Sequence, residues 1–265
     1  MNIEGKVAVV GAGSWGTAFA NALANKGMKV TVWSRRDTLA EAIGGRHENP
    51  DYLPGIFLSP LLRATSDLEA AVDQAEAVFM AVPSRGFREV VRDVGRIAAS
   101  SAPIVSLAKG LEPDSLCRMS EVIAQEIPAS WPQRIVAMSG PNLAKEVALG
   151  YPAATVIACA DPSVSDGLQE ALMTPVFRTY SNPDIVGVEI GGVVKNVIAI
   201  ATGIAEGLGF GDNSKATVIT RGLAEMTRLG AALGADPLTF SGLAGVGDLI
   251  CTCMSGLSRN HHVGL

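Results

Sequence analysis

The sequence predicts an α/β chain: a doubly wound, mostly parallel sheet followed by an all-helical domain. Three observations carry this. Short runs rich in Val, Ile and Ala alternate with helical patterns, as in chains of βαβ units. The first of these runs ends in a glycine-rich turn, GAGSWG. After about Pro183 the alternation stops and helix follows helix. The expected division is therefore a sheet domain over 1–183 and a helical domain over 184–265, and a chain of 265 residues is longer than one compact core usually serves.

In chain order, KVAVV at 6–10 is the first strand, and 17–26 is the helix that leaves the glycine turn. KVTVW at 29–33 is the second strand and runs into Ser34, Arg35, Arg36 and Asp37. ENPDYLPGIFLSP, at 48–60, carries proline and glycine turn signals and reads as a long irregular loop. Strands follow at 77–82, 103–107, 134–139, 154–160 and 177–181, with helices over 67–75, 87–99, 115–126, 142–149 and 163–173. Beyond the boundary, helices are expected over 188–207 and 215–233, and then a glycine-rich connection, SGLAGVGD.

Composition narrows the class. Hydrophobic residues make up 48% and charged residues 18%, with 29 glycines, which suits an α/β protein with many tight turns. A net charge of −5 leaves no global basic surface, so nucleic acid is not an expected partner, although a local basic pocket for a small anion is compatible with it. MNIEGKVAVVGAG runs straight into a strand without the pattern of an export signal, so a cytoplasmic location is expected. The longest apolar stretch is interrupted by Lys195 and Asn196 and then by glycines, and no membrane insertion is expected. Cys117, Cys159, Cys251 and Cys253 form no CxxC pair and read as reduced thiols. Cys251 and Cys253 with His261 and His262 match no standard zinc spacing, so no metal site is expected.

Gly11, Gly13 and Gly16 form G-x-G-x-x-G between a strand and a helix, the context in which the pattern signals a Rossmann-like dinucleotide site. Glycine admits the close approach of backbone to pyrophosphate, and the helix amino terminus offers free N–H groups and a favourable dipole. At the end of the second strand, where an acidic residue would grip the ribose of NAD, stand Arg35 and Arg36, whose guanidinium forks suit a 2′-phosphate. NADP (as NADPH) is the expected cofactor; Asp37 keeps NAD open.

Ligands of open α/β sheets sit beyond the carboxyl ends of the strands, which gives weight to Pro83 and Ser84, to Lys109 in SLAKG, and to Gly140 and Asn142 in SGPN. In the helical part, GGVVKNVIAIATG sets Lys195 in an apolar run that surrounds its helix. Three and four residues away lie only Gly192, Gly191, Ile198 and Ala199, so any carboxylate partner must come from elsewhere. Asp248, Thr252, Ser258, Arg259 and Asn260 each have a plain structural alternative, as cap, backbone-bonded hydroxyl or surface charge. Together they offer Lys195 a carboxylate and a cationic, amide-bearing pocket for a phosphate or other polar group.

GAGSWGTA, SLAKGLE, SGPNLAKEV, EIGGVVKNVIAIATGIAEGLGFGDN, TRGLAEMTRLG, TFSGLAGVGDL and LSRN, in this order over nearly the whole chain, resemble the bacterial NAD(P)-dependent glycerol-3-phosphate dehydrogenases. The resemblance implies reduction of dihydroxyacetone phosphate to sn-glycerol 3-phosphate, the backbone precursor of phospholipids. It implies Lys195 as proton carrier, with Asp248 and Lys109 beside it in the catalytic group. It implies substrate contacts at Lys109, Gly140, Asn142, Asp248, Thr252, Ser258, Arg259 and Asn260. Ser14, Trp15, Arg35, Arg36 and Ala144 match cofactor positions, and Lys109 and Arg259 match positions that touch both ligands. The family continues through further helices after the equivalent of LSRN, so an incomplete helical domain is expected here. The glycine-bordered helix around Lys195 is also a candidate face for a homodimer.

Two rival readings stay open. One is a 3-hydroxy acid dehydrogenase of similar architecture; the other is a non-catalytic NADP(H)-binding protein. Short-chain dehydrogenases are excluded, because the residues four after Tyr52, Tyr151 and Tyr180 are Ile56, Thr155 and Asp184, not lysine.

Overall fold

The computed structural model describes residues 3–128 and 134–265. Its order begins β1 (Lys6–Val10), α1 (Ser14–Asn25), β2 (Lys29–Trp33), α2 (Asp37–Glu41), β3 (Glu48–Asn49), β4 (Leu53–Phe57), β5 (Arg63–Thr65), α3 (Leu68–Val72), β6 (Ala75–Met80) and α4 (Phe87–Ile97). It continues with β7 (Ile104–Ser106), α5 (Met119–Glu126), β8 (Ile135–Ser139), α6 (Ala144–Ala148), β9 (Ala153–Cys159), α7 (Pro162–Leu172) and β10 (Phe177–Asn182). The remainder is helical: α8 (Ile185–Gly207), α9 (Asp212–Ala232), α10 (Asp248–Met254) and α11 (Arg259–Gly264).

Eight strands form one sheet in the order β10-β9-β8-β7-β6-β1-β2-β5, parallel throughout except for the antiparallel β8–β9 pair. In β1, β7 and β8 the apolar runs are continuous because both faces are covered, whereas β2 and β10, towards the edges, alternate. In β1, Val7 and Val9 join the core on one face, with Phe19, Leu23 and Phe79, while Ala8 and Val10 join the other, with Met80, Phe87 and Val91. A third cluster, with Ile190, Ile198, Met226, Phe240 and Leu249, holds the helices, and a small fourth one ties Val188 and Ala244 to Ala137, Val156 and Ala158 of the sheet.

Several elements differ from the sequence reading. The segment at 48–60 is not irregular: β3 and β4 pair as a small antiparallel hairpin, pinned by the buried Asn49, whose amide donates to Ala12 O and Thr17 Oγ1. β5 extends the sheet beside β2 with only three residues. α5 starts at Met119 rather than 115, because the chain doubles back at Leu116 (φ 57°) and Leu111 bridges Arg118. α8 starts at Ile185 rather than 188, since the Asp184 side chain accepts from Gly187 N. The expected glycine-rich connection is a tight helical turn over 243–247 that runs directly into α10.

By length and composition α8 is able to cross a bilayer, but over half of its most apolar window is buried within the protein. It packs on α9, α10, α11 and β8, and reads as the core helix of the helical part. Its contact with α11 is backbone to backbone: a Cβ on Gly203 would stand 2.1 Å from His261 O, and one on Gly264 would stand 2.1 Å from Ile200 O. None of the four cysteines is in a disulfide.

Candidate active site

The turn after β1 is built for close passage. Gly11 has φ 119°, and a Cβ there would lie 2.8 Å from the Ala81 backbone after β6. A Cβ on Gly16 would lie 2.0 Å from Gly11 O, so only glycine lets α1 start so near the strand. Gly13, the residue before α1, faces open space with no atom within 4 Å of a Cβ position, and no side chain caps the helix. This open cradle over uncapped N–H groups fits the pyrophosphate of a dinucleotide. Ser14 Oγ donates to Tyr52 O (2.9 Å), which ties the turn to the hairpin. Trp15 packs on Phe19 (ring centroids 5.8 Å apart), and Ala144 packs on the same core. Arg35 and Arg36 are both exposed beyond β2; Arg36 is held by Asp51 (2.5 Å) with its guanidinium 5.8 Å from the Tyr52 ring centre, whereas Arg35 makes no ion pair among the described residues.

Past the ends of β7 and β8 the chain meets the helices, and two lysines share one carboxylate there. Asp248, at the first turn of α10, is 1% exposed. Lys195 Nζ, from α8, donates to its Oδ1, and Lys109 Nζ, from the segment after β7, donates to its Oδ2 (2.7 Å). Lys195 also donates to Thr252 Oγ1 (2.8 Å), whose hydroxyl donates to Asp248 O (2.7 Å). Lys109 donates in addition to Gly140 O (2.8 Å), and Ser139 Oγ lies 3.4 Å from Asp248 Oδ2. Gly140 has φ 153°, and a Cβ there would press within 3.0 Å of Ala154 O and Thr155 Cα. The Asn142 amide beyond it lies 3.0 Å from Thr155 Oγ1.

Two ammonium groups on one carboxylate leave a net positive charge in a nearly dry place. Burial lowers the Lys195 pKa to about 7; the charge of Lys109 adds to the fall, and Asp248 opposes it. Lys195 is 6% exposed, and so holds or releases a proton near neutrality out of reach of bulk water. Lys109 is more open, with 20% of its side chain exposed.

The LSRN segment closes one side. Ser258 is buried and caps α11 by accepting from His261 N (3.3 Å), while Arg259 is exposed on the first turn. Asn260 donates to Asn196 Oδ1 (2.7 Å), and Asn196 donates to Lys109 O (3.3 Å) and Gly192 O (3.2 Å). The structure thus gathers Lys109, Gly140, Lys195, Asp248, Thr252 and Asn260 into one connected group. Ser258 serves the helix end, and Asn142, Arg35, Arg36 and Ala144 lie outside these bonds. Sequence reasoning missed Ser139, Asn196 and Gly192. Asn196 carried a signal, a second polar residue in an apolar helix; Gly192 did not, yet a Cβ there would meet Ser139 Oγ at 2.9 Å and Lys109 Cγ at 3.3 Å.

A glycine cradle after the first strand of a mostly parallel sheet, together with a buried lysine bound to a carboxylate past the ends of β7 and β8, is the equipment of a nicotinamide-dependent dehydrogenase. The profile of the NAD-dependent glycerol-3-phosphate dehydrogenase N-terminus matches residues 6–165, and that of the family's C-terminus matches residues 184–265. The chain belongs to the NAD-dependent glycerol-3-phosphate dehydrogenase family. It is 54% identical over 259 residues to the glycerol-3-phosphate dehydrogenase [NAD(P)+] of Streptomyces coelicolor, a match covering 98% of this chain and 77% of that one. It is 56% identical over 261 residues to the Streptomyces griseus enzyme of the same name, with the same coverage. The crystal structure of the Coxiella burnetii glycerol-3-phosphate dehydrogenase superposes with a TM-score of 0.92 at 40% identity, over 98% of this chain and 79% of that one.

Proposed function

We propose that the chain reduces dihydroxyacetone phosphate to sn-glycerol 3-phosphate, reversibly, with Lys195 as the proton carrier and NADPH favoured over NADH. The shared carboxylate of Asp248, with an ammonium on each oxygen, carries this reading. The nicotinamide cofactor supplies the hydride when bound. Lys195 gives its proton to the ketone oxygen, and the positive charge it shares with Lys109 favours the developing alkoxide. Asp248 holds both ammonium groups at one edge of the site, and Thr252 fixes the direction of the Lys195 Nζ–H bonds. Arg259 and Asn260, on the first turn of α11, are the groups for the substrate phosphate, where charge-assisted bonds contribute about 1.5–3 kcal/mol each. Gly140 and Asn142 line the same approach, and Ser258 acts by setting the start of α11.

On the cofactor side, Gly11, Gly13 and Gly16 admit the pyrophosphate beside Ser14, Trp15 and Ala144. The preference for NADPH rests on Arg35 more than on Arg36, because Asp51 already engages Arg36. The remaining parts of the proposal are a working division at 183/184, a cytoplasmic enzyme feeding phospholipid synthesis, and a homodimer. What supports the homodimer is an exposed stripe on α8, Val197, Ala201 and Ile204, at helical spacing and continued by Leu208 just past the helix end.

The deciding experiment follows NADPH and NADH oxidation with dihydroxyacetone phosphate, alongside a Lys195→Ala variant. Turnover with NADPH that falls about 10²- to 10⁴-fold in the variant is the expected result. Turnover of a 3-hydroxy acid instead would move the assignment to that class of dehydrogenase, and NADPH binding with no turnover would leave a binding protein. Equal efficiency with the two cofactors would remove the role given to Arg35.

A further inference from the structure

Glu189 is a buried carboxylate that the proposed chemistry does not use. It lies on α8, 7% exposed, and accepts three hydrogen bonds from outside its helix: from Ser120 N (2.8 Å), Ser120 Oγ (2.6 Å) and Arg118 Nη1 (2.8 Å). Burial pushes its pKa up, and the Ser120 and Arg118 donors oppose that rise. Arg118 and Ser120 close the segment that opens at Lys109. That segment leaves the Lys109–Gly110 turn, doubles back at Leu116, and is stitched by the Leu111–Arg118 bridge and by Glu112 N to Cys117 O (3.0 Å). Arg88, from α4, grips Glu112 (2.6 Å) and Glu126 (2.7 Å), so the segment behaves as a braced arm rather than a loose loop.

One face of α8 lies along that arm. Glu189, Gly192 and Asn196 recur at helical spacing of three and four residues. Glu189 binds the end of the arm, Gly192 receives the Lys109 stem, and Asn196 donates to Lys109 O. Lys195 is next to this face, about 9 Å along the helix from Glu189.

We propose that Glu189 is a positioning residue of the lysine pair: it locks α8 to the arm that carries Lys109 and so sets the separation of Lys109 and Lys195 across Asp248. The inference rests on the reductase reading above. The charged groups involved are few. Glu189 faces Arg118, which also pairs with Glu121 (2.8 Å) and donates to Ser120 Oγ (2.9 Å); Lys195 faces Lys109 and Asp248, with the Cys251 thiol in the same field. If the lock loosens, Lys109 recedes, its repulsion weakens, and Lys195 keeps its proton to higher pH.

The test uses Glu189→Gln, which keeps the shape but takes from Arg118 its charged acceptor on α8, leaving it only the carboxylate of Glu121, and Ser120→Ala, which removes one donor and is the milder change. Two readouts are taken: the pH profile of kcat for ketone reduction, and the titration midpoint of Lys195 followed by NMR in protein labelled at lysine Cε. Expected for Glu189→Gln is a shift of both midpoints to higher pH and a fall in kcat of between about ten- and a hundredfold, with KM for NADPH unchanged. Ser120→Ala should shift both midpoints the same way by less, and it decides the matter if Glu189→Gln does not fold. Folded variants whose Lys195 midpoint equals that of the parent would overturn the proposal, even if they melt earlier. Because the NMR midpoint needs no turnover, a parent that lacks the reductase activity sinks the reading of function without touching this result.

Discussion

At the scale of a residue, Lys195 shows how burial and pairing act against each other. Its pKa is lowered from 10.5 to about 7, first by burial and then by Lys109, with Asp248 opposing. Two pH dependences follow. With Lys195 as the proposed proton carrier, ketone reduction needs its protonated form and should slow as pH rises through about 7, while alcohol oxidation, which needs the free amine, should rise through the same point. Stability moves differently. Between about 7 and 10.5 the unfolded chain holds the proton that the folded chain has released, so stability increases with pH across that window and levels off above it. Below about 7 both states are protonated, and the cost of the buried ammonium is felt in full. Urea unfolding of the parent and a Lys195→Met variant at stepped pH should show their stability difference moving in the parent's favour across the window. A difference independent of pH would mean that Lys195 is not neutralised on folding.

At the scale of elements, what could be read in advance depended on length and on where partners lie. The strand 6–10 was legible because it is apolar on both faces, the strand 29–33 because Val30 and Val32 alternate with Lys29 and Thr31, and both are bounded by turn signals. The β3–β4 hairpin was not, since β3 has two residues and its anchor, Asn49, reaches into α1. α10 and α11, of seven and six residues, stand after glycines that read as connection. Within the site, Lys195 announced itself as a charge in an apolar helix, and its want of a local partner was itself the clue. The Lys109–Asp248 pair spans 139 positions, which no spacing rule reaches; only the resemblance to a family put the two together. Glu189 lacked any signal, because a lone glutamate at the start of a helix reads as a solvated charge. The α8–α11 contact gives the prediction proper to this scale. In Gly203→Ala the new methyl meets His261 O at 2.1 Å, so α11 must move outward and carry Arg259 and Asn260 with it. We expect a loss of about 1–3 kcal/mol in stability. KM for dihydroxyacetone phosphate should rise more than kcat falls; steady-state kinetics with unchanged KM would show that α11 does not hold the phosphate.

At the scale of the whole molecule, the site is a joint. The sheet supplies the cradle at Gly11, Gly13 and Gly16, and the helices supply Lys195, while Asp248 of α10 reaches back to Lys109 beside Gly140. Binding of the cofactor and the proton step are therefore separable, because the cradle makes no bond to Asp248. Asp248→Asn tests this. The amide presents one acceptor oxygen to two ammonium groups, that of Lys195 buried and that of Lys109 partly so, and breaking a buried ion pair by removing one partner typically costs about 3–5 kcal/mol. For a chain of this size, each kcal/mol lowers Tm by roughly 2–4 °C, so calorimetry should show a drop of about 6 °C or more. Without its countercharge, Lys195 loses the main influence that holds its proton, and ketone reduction should fall even at acidic pH. NADPH should still bind with the Kd of the parent, measured by fluorescence at a temperature where both are folded. A parallel loss of NADPH affinity would mean that the cradle depends on the joint, and that the sheet cannot hold the dinucleotide unless the helices are locked against it.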